Sequence, residues 1–477
     1  MRSGMRYIEK LILLAVFLSP CSEILIFKTG VVDLKILQLL WSAIFLLILI
    51  QKAVSKACAP VKNTIDINSR FIFTLYLTVI ILSCLFSLDI KMSLKELIQY
   101  VYLFLTLLAI YSYSRKREFM DKLINAIILS NALLVGTSII SYFSGRLLIP
   151  SFIMYPNGTL FVMDSLYKTQ SLVETSGIIN RLEGIMGLGT IGIANCVLIH
   201  SVFINYKIRK SSGRLRKIYV VLFAANIVTV GLTYSRAALV VFILIHFVSL
   251  FGKNKKVNLG IALAGICSIP VILSFFPSLY ARLQESFNLG EGSTRYHLIF
   301  WIISLREGYD HILTGIGLGN AAYLQGVYVD MAAVLFKSFD LYSVDGANVH
   351  NFILQIWAEQ GAVGLFANML LIFYPVMHFI KIKFIKKLTG GKTIYDYIIL
   401  AYTATLAYNL TNNNFYIETF WVLAALAYAC KDIYTQHVYL DERAGLPAEQ
   451  VKNRNRYSPG THVQPGIGAV PRSFNTE

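Results

Sequence analysis

The sequence predicts an all-α protein that crosses a membrane many times, and composition supports this directly. Of the 477 residues, 56% are hydrophobic and only 14% are charged, and the mean hydropathy is +0.61. Soluble proteins have about 45–50% apolar and about 25% charged residues. The basic residues lie in short clusters between long apolar runs. These features exclude a cytosolic enzyme, a secreted disulfide scaffold and a disordered chain.

Twelve segments are predicted to span the membrane, since each approaches the about 20 mostly apolar residues that a spanning helix needs. The first contains Pro20 and Glu23 and is the weakest. No small-residue cleavage site follows it, so a retained span is expected instead of a signal peptide. The predicted spans are residues 8–27, 34–51, 71–88, 97–114, 123–144, 184–205, 217–233, 236–252, 257–276, 352–380, 394–410 and 416–433.

The distribution of basic residues predicts the orientation of these spans. With the N-terminus inside, 31 of the 43 Lys and Arg residues fall in inner segments, as the positive-inside rule requires. The outer side then carries two long loops, residues 145–183 and 277–350. The net charge of +17 therefore follows from orientation and needs no nucleic-acid partner. We expect a membrane domain over residues 1–435 and a disordered cytoplasmic tail over 436–477.

Two polar clusters are expected at the outer ends of the sixth, seventh and eighth spans. Arg181 precedes the sixth span, and it either pairs locally with Glu183, extends to the interface, or faces a ligand. Thr233, Tyr234, Ser235 and Arg236 form a tight turn in which Ser or Thr can cap the next helix. Arg236 lies on the side that positive-inside bias disfavours, so it is either an interfacial anchor or a group directed at an anion.

The long outer loop contains a third cluster. Thr294 is a plausible N-cap for a helix from about 295 to 308, in which Arg295 and Arg306 are three turns apart and share a face. The alternative is that both arginines are solvated loop charges. Residues 315–319 read Gly-Ile-Gly-Leu-Gly; since no strand precedes them, they predict close backbone packing or a tight turn, not a nucleotide site.

The fourth cluster surrounds His350, which is predicted in the first turn of the tenth span with Asn348 as its cap. A helix N-terminus disfavours the imidazolium, so His350 should be neutral and able to accept a proton. A capped, purely structural histidine is the alternative. Gly361 and Gly364 are expected to let another helix approach closely. His297 lies close to Arg295 along the chain but is expected to point elsewhere.

The order and spacing of these residues resemble the bacterial O-antigen ligase and O-antigen polymerase superfamily. The resemblance rests on Arg236 in its Ser-Arg turn, Arg295 followed by Trp301 and the glycine run, and His350-Asn351 followed by Gly361. It covers roughly residues 1–435. It implies about twelve spans, a glycosyltransferase architecture of the GT-C type and an active site facing the periplasm of a bacterial inner membrane.

The resemblance also implies a reaction. Such enzymes move a glycan from undecaprenyl diphosphate to an acceptor hydroxyl, on lipid A-core in a ligase or on a growing glycan in a polymerase. Arginine binds phosphate oxygens bidentately and cannot lose its charge, so Arg236 and Arg295 are expected at the diphosphate, supported by Arg181 and Arg306. His350 is the expected general base. Tyr234 and Asn351 are expected to contact substrate.

Neither a metal nor another cofactor is expected, because diphosphate is already a good leaving group. The outer segments also lack His-Glu-x-x-His, Asp-rich and paired Cys/His patterns. A lipid-linked sugar transporter is a competing interpretation, although no internal repeat supports it. A metal-dependent oligosaccharyltransferase would need acidic ligands in its first outer loop, which here is only about residues 28–33. A structural scaffold leaves the outer arginines unexplained.

Overall fold

The computed structural model is mostly helical and has twelve helices and six short strands among the residues that it describes. Those residues are 2–21, 24–28, 33–56, 66–144, 152–162, 170–174, 177–182, 189–250, 292–322, 328, 349–385 and 393–443. The helices are α1 (Arg2–Leu18), α2 (Ile36–Lys56), α3 (Ile67–Leu85), α4 (Ile90–Ser114), α5 (Arg117–Ser144), α6 (Thr190–Lys210), α7 (Gly213–Leu232), α8 (Arg236–Leu250), α9 (Gly292–Asp310), α10 (Phe352–Ile385), α11 (Ile394–Asn409) and α12 (Glu418–Arg443).

Seven of the described helices are long and apolar enough to cross a membrane, which makes the chain a multi-pass membrane protein. They are α2, α3, α4, α5, α6, α7 and α10. Helix α8 is apolar but shorter. A described helix lies at eleven of the twelve predicted spans. The remaining one, the ninth (residues 257–276), lies outside the described residues.

The first predicted span, residues 8–27, has the wrong boundaries. Helix α1 begins at Arg2 and ends at Leu18, and Ser19–Cys21 form a short 3-10 turn. Pro20 lies in that turn, because its ring and missing N–H do not fit a helix interior. The chain then continues as a strand. At the other terminus, α12 runs to Arg443, past the boundary predicted for the tail, and residues 444–477 lie outside the described part.

Two small sheets in the outer segments also modify the all-α prediction. Strands β1 (Leu25–Lys28) and β2 (Asp33–Lys35) form a hairpin, and β1 pairs in parallel with β3 (Phe152–Met154). The sheet order is β2-β1-β3-β4, with β4 at Leu160–Val162, and β5 (Gln170–Glu174) pairs with β6 (Gly177–Arg181). The first outer loop is thus joined to residues 152–162.

The centre of the membrane domain is an aromatic core between α3, α4 and α12. Trp421 is fully buried, and its Nε1 donates to the Phe415 carbonyl at 2.7 Å. Tyr428 and Tyr402 donate to the carbonyls of Leu371 and Ile372, at 2.8 and 3.0 Å. Each of these three buried groups therefore has an acceptor, as most buried polar groups in proteins do. These bonds hold α11 and α12 against α10.

Helix α10 is broken near its N-terminal end, where residues 312–317 dock against it. Gly361 has a non-helical backbone (φ 63°). On one side of the break, Ile316 N and Gly317 N donate to the carbonyls of residues 358 and 359, both at 2.9 Å. On the other side, Ala362 N donates to Ile312 O at 2.6 Å. The segment after α9 therefore satisfies backbone groups that the break would leave unpaired inside the protein.

The glycine loop, residues 315–319, has the close backbone packing that its sequence predicts. Gly315, Gly317 and Gly319 all have positive φ, between 67° and 101°. A Cβ at Gly317 would overlap Ser87, and Ser93 Oγ donates to the Leu318 carbonyl at 2.7 Å. The loop is thus held between the α3–α4 turn and the break in α10.

The prediction that another helix approaches Gly361 and Gly364 closely was wrong about which segment makes the contact. A Cβ at Gly361 would lie 2.6 Å from Ile312 O and 2.7 Å from Gly315 N, so the close approach is by the segment after α9, not by another membrane helix. At Gly364 a Cβ would meet the side chain of Gln360 in the same helix. A glycine pair predicts close contact but does not identify the neighbour.

Replacing Gly317 with alanine should destabilise the protein. The new methyl group would overlap Ser87, and the positive φ of 101° is unfavourable for alanine, so a loss of about 1–3 kcal/mol is expected. Thermal unfolding in detergent measures the effect. Gly136→Ala in α5 is the matched control, because no atom lies within 4 Å of its Cβ position. Equal unfolding temperatures for the two variants would contradict this account of the loop.

Candidate functional site

The turn between α7 and α8 has the predicted position and cap. Helix α7 ends at Leu232 and α8 begins at Arg236. Ser235 Oγ accepts from Ala238 N at 3.4 Å, which caps α8. Tyr234 has φ 49°, a left-handed conformation that is uncommon outside glycine. The tight turn therefore holds Arg236, which is half-buried, at the start of α8.

The segment that ends in Arg181 lies beside this turn. Leu182 N donates to the carbonyl of Leu232, the last residue of α7, at 2.8 Å. Thr190, at the start of α6, donates back to Leu182 O at 3.2 Å. These backbone contacts bring residue 181 next to residues 233–236, although the two are more than fifty positions apart. The first and second predicted clusters therefore form one group at the ends of α6, α7 and α8.

The third cluster lies on α9, whose start differs from the prediction. The helix begins at Gly292, so Thr294 is inside it and is not its N-cap. Arg295 is half-buried in the first turns. Arg306 has a local partner: its Nε donates to Asp310 at 3.0 Å, and its guanidinium lies 5.5 Å from the centre of the Tyr309 ring. The two predicted arginines thus have different surroundings, one near the start of α9 and the other near its end.

His350 lies before α10 and not in its first turn, which corrects the prediction. The helix begins at Phe352, and Asn351 is its cap: Asn351 Oδ1 accepts from Ile353 N at 3.0 Å and from Leu354 N at 3.1 Å. Asn348 lies outside the described residues. His350 itself has φ 53°. Because the cap is Asn351, the residue after His350, His350 lies outside the helix. Its own backbone is in a left-handed conformation.

The surroundings of His350 favour its neutral form, for a reason other than the one expected. Burial lowers the pKa of the His350 imidazole below its ordinary value, because a low-dielectric environment disfavours the charged ring. The prediction had assigned this effect to the dipole of α10. A neutral imidazole can accept a proton, so the geometry leaves His350 available as a base.

His297 is a residue of this site that sequence reasoning missed. Its ring centre lies 4.8 Å from that of His350, with the ring planes at 65°, an edge-to-face arrangement. It also lies 6.4 Å from the Trp301 ring. The sequence shows His297 near Arg295 but gives no indication that residue 350 returns to α9. The only available signal was its place one turn before Trp301.

Glu307 is the second residue that the sequence analysis missed. It lies on α9, is fully buried, and neither carboxyl oxygen has a hydrogen-bond partner among the described residues. Burial raises the pKa of Glu307 to about 8, and the nearby Glu359 carboxyl adds to the effect. Glu307 is therefore mostly neutral at pH 7. Its spacing from Ile299 and Ile303, four residues each, was the signal, since it places an acid on a buried apolar stripe.

A layer of polar side chains lies one turn inside His350. Gln355 Nε2 donates to Glu359 Oε1 at 2.9 Å and to the Tyr416 hydroxyl at 2.5 Å. Asn413, from the α11–α12 loop, donates to Gln355 Oε1. The Glu359 carboxyl therefore has a buried hydrogen-bond donor in Gln355. This layer connects the start of α10 to the loop before α12.

The predicted site residues therefore fall into two groups. One contains the turn of Tyr234 and Arg236 with the backbone of Arg181. The other contains Arg295 on α9 and His350-Asn351 before α10. In the part of the chain that the structure describes, no three His, Cys, Asp or Glu side chains are grouped as ligands for a metal ion.

Part of the chain matches a known protein family. Residues 219–369 match the family model described as O-antigen ligase. No curated protein matches the chain. The matched segment begins in α7, contains Arg236, Arg295 and His350, and ends within α10. The resemblance of this chain to the O-antigen ligase and polymerase superfamily is therefore confirmed over residues 219–369.

Proposed function

We propose that this protein is a membrane glycosyltransferase of the O-antigen ligase type. It would transfer a glycan from undecaprenyl diphosphate to a hydroxyl of lipid A-core at the periplasmic face. The main support is that one segment with an O-antigen ligase sequence contains Arg236, Arg295 and a half-buried His350. Polymerisation of O-antigen or exopolysaccharide repeat units is the second candidate, since polymerases share parts of this signature.

The arginines supply positive charge for the leaving diphosphate. Arg236 begins α8 and Arg295 lies near the start of α9, and both are half-buried. A partly desolvated guanidinium interacts with phosphate oxygens more strongly than one in water, and its planar fork can make two bonds to them. Arg181, Tyr234, Arg306 and Asn351 are proposed to contact the substrate around these two residues.

His350 supplies the base. Its neutral imidazole would remove the proton of the acceptor hydroxyl as the oxygen attacks the anomeric carbon and the diphosphate departs. Direct attack of this kind inverts the anomeric centre. Neither step consumes ATP, and the arginines take the role that a metal ion would have, so transfer should continue in excess chelator.

The rest of the proposal concerns architecture. We propose twelve spans, both termini in the cytoplasm, and a GT-C-like arrangement in a bacterial inner membrane. On this topology α9 lies in the outer loop, residues 277–350. The test introduces Tyr309→Cys, at an exposed position on α9, into a variant whose native cysteines have been replaced. A thiol reagent that cannot cross membranes should label this cysteine in intact spheroplasts. Labelling only after lysis would refute this orientation.

A deletion strain tests the function. Loss of a ligase should leave the lipopolysaccharide core unmodified while long carrier-linked chains accumulate. Loss of a polymerase should instead leave core that carries a single repeat unit. A normal ladder in the deletion strain, with every carrier-linked intermediate at its usual level, would exclude both candidates.

Arg236→Ala and Arg295→Ala should each reduce transfer by at least about a hundredfold, because an unpaired diphosphate charge is a poor leaving group in a partly buried site. Lysine at either position should restore only part of the activity, since a point charge lacks the guanidinium fork. In vitro transfer with purified carrier-linked donor measures both effects. Arg214→Ala, at the exposed inner end of α7, is the control. Full activity in either alanine variant would remove that arginine from the site.

His350→Ala should lose about 10²–10⁴-fold in turnover and still bind the donor. In the wild type, turnover should rise with pH through the His350 pKa. Because burial lowers that pKa, the midpoint should lie below about 6.5, and the rise should be missing from the residual activity of the variant. His378→Ala, near the inner end of α10, is the matched control. Lost donor binding with an unchanged pH profile would make His350 a phosphate ligand and not the base.

A further inference from the structure

The contact between His297 and His350 joins two elements that are distant in the sequence. His297 lies on α9, and His350 lies in the turn before α10, with 53 positions between them. Their rings meet edge to face with centres 4.8 Å apart. The turn that holds His350 is itself fixed, because Val349 is buried in a cluster with Trp301, Ile316 and Ala358. The relative positions of the two imidazoles are therefore determined by packing on both sides.

The positions of the charged residues around His350 determine how much the His297 ring can affect protonation of the His350 imidazole. Arg295 lies two residues before His297 on α9, and Glu307 lies about three turns further along the same helix. On α10 the charged side chain nearest to His350 in the sequence is Glu359, more than two turns into the helix. The cause of the lowered His350 pKa is burial. The ring of His297 is thus an immediate neighbour from which an imidazolium at His350 can gain stabilisation.

We propose that His297 is a positioning residue for His350, an inference that rests on the proposed glycosyl transfer. In the reacting complex the acceptor O–H bond breaks and its proton moves to the His350 imidazole. The acceptor oxygen bonds to the anomeric carbon, and the bond to the diphosphate breaks with its electron pair leaving on the phosphate oxygen. We assign the edge of this pair to protonated His350, whose N–H then faces the π-system of His297 and is stabilised by it. His297 neither gains nor loses a proton.

Three substitutions at His297 separate this role from others. His297→Leu removes the π-face and should lower turnover about threefold to tenfold, the range of an aromatic pair contact. His297→Phe keeps the face without a nitrogen and should retain most of the turnover. His297→Gln keeps a polar group without a face and should resemble the leucine variant. KM for the donor should change little in all three, because the arginines bind the diphosphate.

The pKa of His350 is the measurement that a merely structural role would not change. Loss of the π-face removes stabilisation of the imidazolium, so the pKa of His350 should fall by about half to one unit in the leucine and glutamine variants. It should stay near the wild-type value in the phenylalanine variant. NMR titration of isotope-labelled histidine in nanodiscs follows this pKa directly, with His350→Ala to assign the signal. His311→Leu, one residue past the end of α9, is the matched control and should leave both turnover and the pKa unchanged.

Two results would overturn the proposal. One is a His350 pKa that is unchanged in His297→Leu while the protein remains folded by thermal unfolding. The other is a glutamine variant that retains activity while the phenylalanine variant does not, which would make His297 a hydrogen-bonding group. The NMR titration needs no turnover, so the ring contact is tested even if His350→Ala retains wild-type transfer. That last result would refute His350 as the base but not glycosyl transfer itself, and the titration would still decide the outcome for the ring pair.

Discussion

The backbone pairing between residues 312–317 and the broken N-terminal end of α10 is the constraint on which the candidate site depends. A break in a buried helix exposes carbonyl and N–H groups that have no water to pair with. Here the segment after α9 fills that role, through the bonds to residues 358, 359 and 362. The same bonds fix the end of α9 against α10. The relative positions of Arg295, His297 and His350 follow from them.

Burial at the contact between α9 and α10 explains the protonation states of its polar groups. Around the α9–α10 contact, neutral forms are favoured at both His350 and Glu307, because burial penalises either charge. Arginine is the exception, since its guanidinium does not lose its proton at any accessible pH. A site that contains arginines and a neutral imidazole can therefore hold an anion and accept a proton at the same pH. Such a combination suits transfer from a diphosphate donor.

Local patterns in the sequence predicted local structure well. Apolar runs located eleven of the described helices, the Thr-Tyr-Ser-Arg turn was found where expected, and the glycine run does pack its backbone closely. The failures involved contacts between distant segments. Nothing near His297 in the chain indicates that residue 350 lies against it. Gly361 predicts a close approach of backbone, but the sequence does not identify Ile312 as the neighbour. Similarly, the choice between Asn348 and Asn351 as cap depends on where the left-handed turn at His350 ends.

The contacts that Ser83 and Ser87 make with distant parts of the chain have a consequence for biosynthesis. Ser83 donates to the carbonyl of Glu359, 276 positions later, and Asn320 donates to Ser87, 233 positions earlier. The α3–α4 hairpin therefore enters the membrane long before the ribosome has made its partners. Until those partners are made, Ser83 lacks its acceptor and Ser87 lacks its donor. We expect nascent chains that end before α10 to expose this surface to membrane chaperones and proteases, so that quality control acts on the unfinished site.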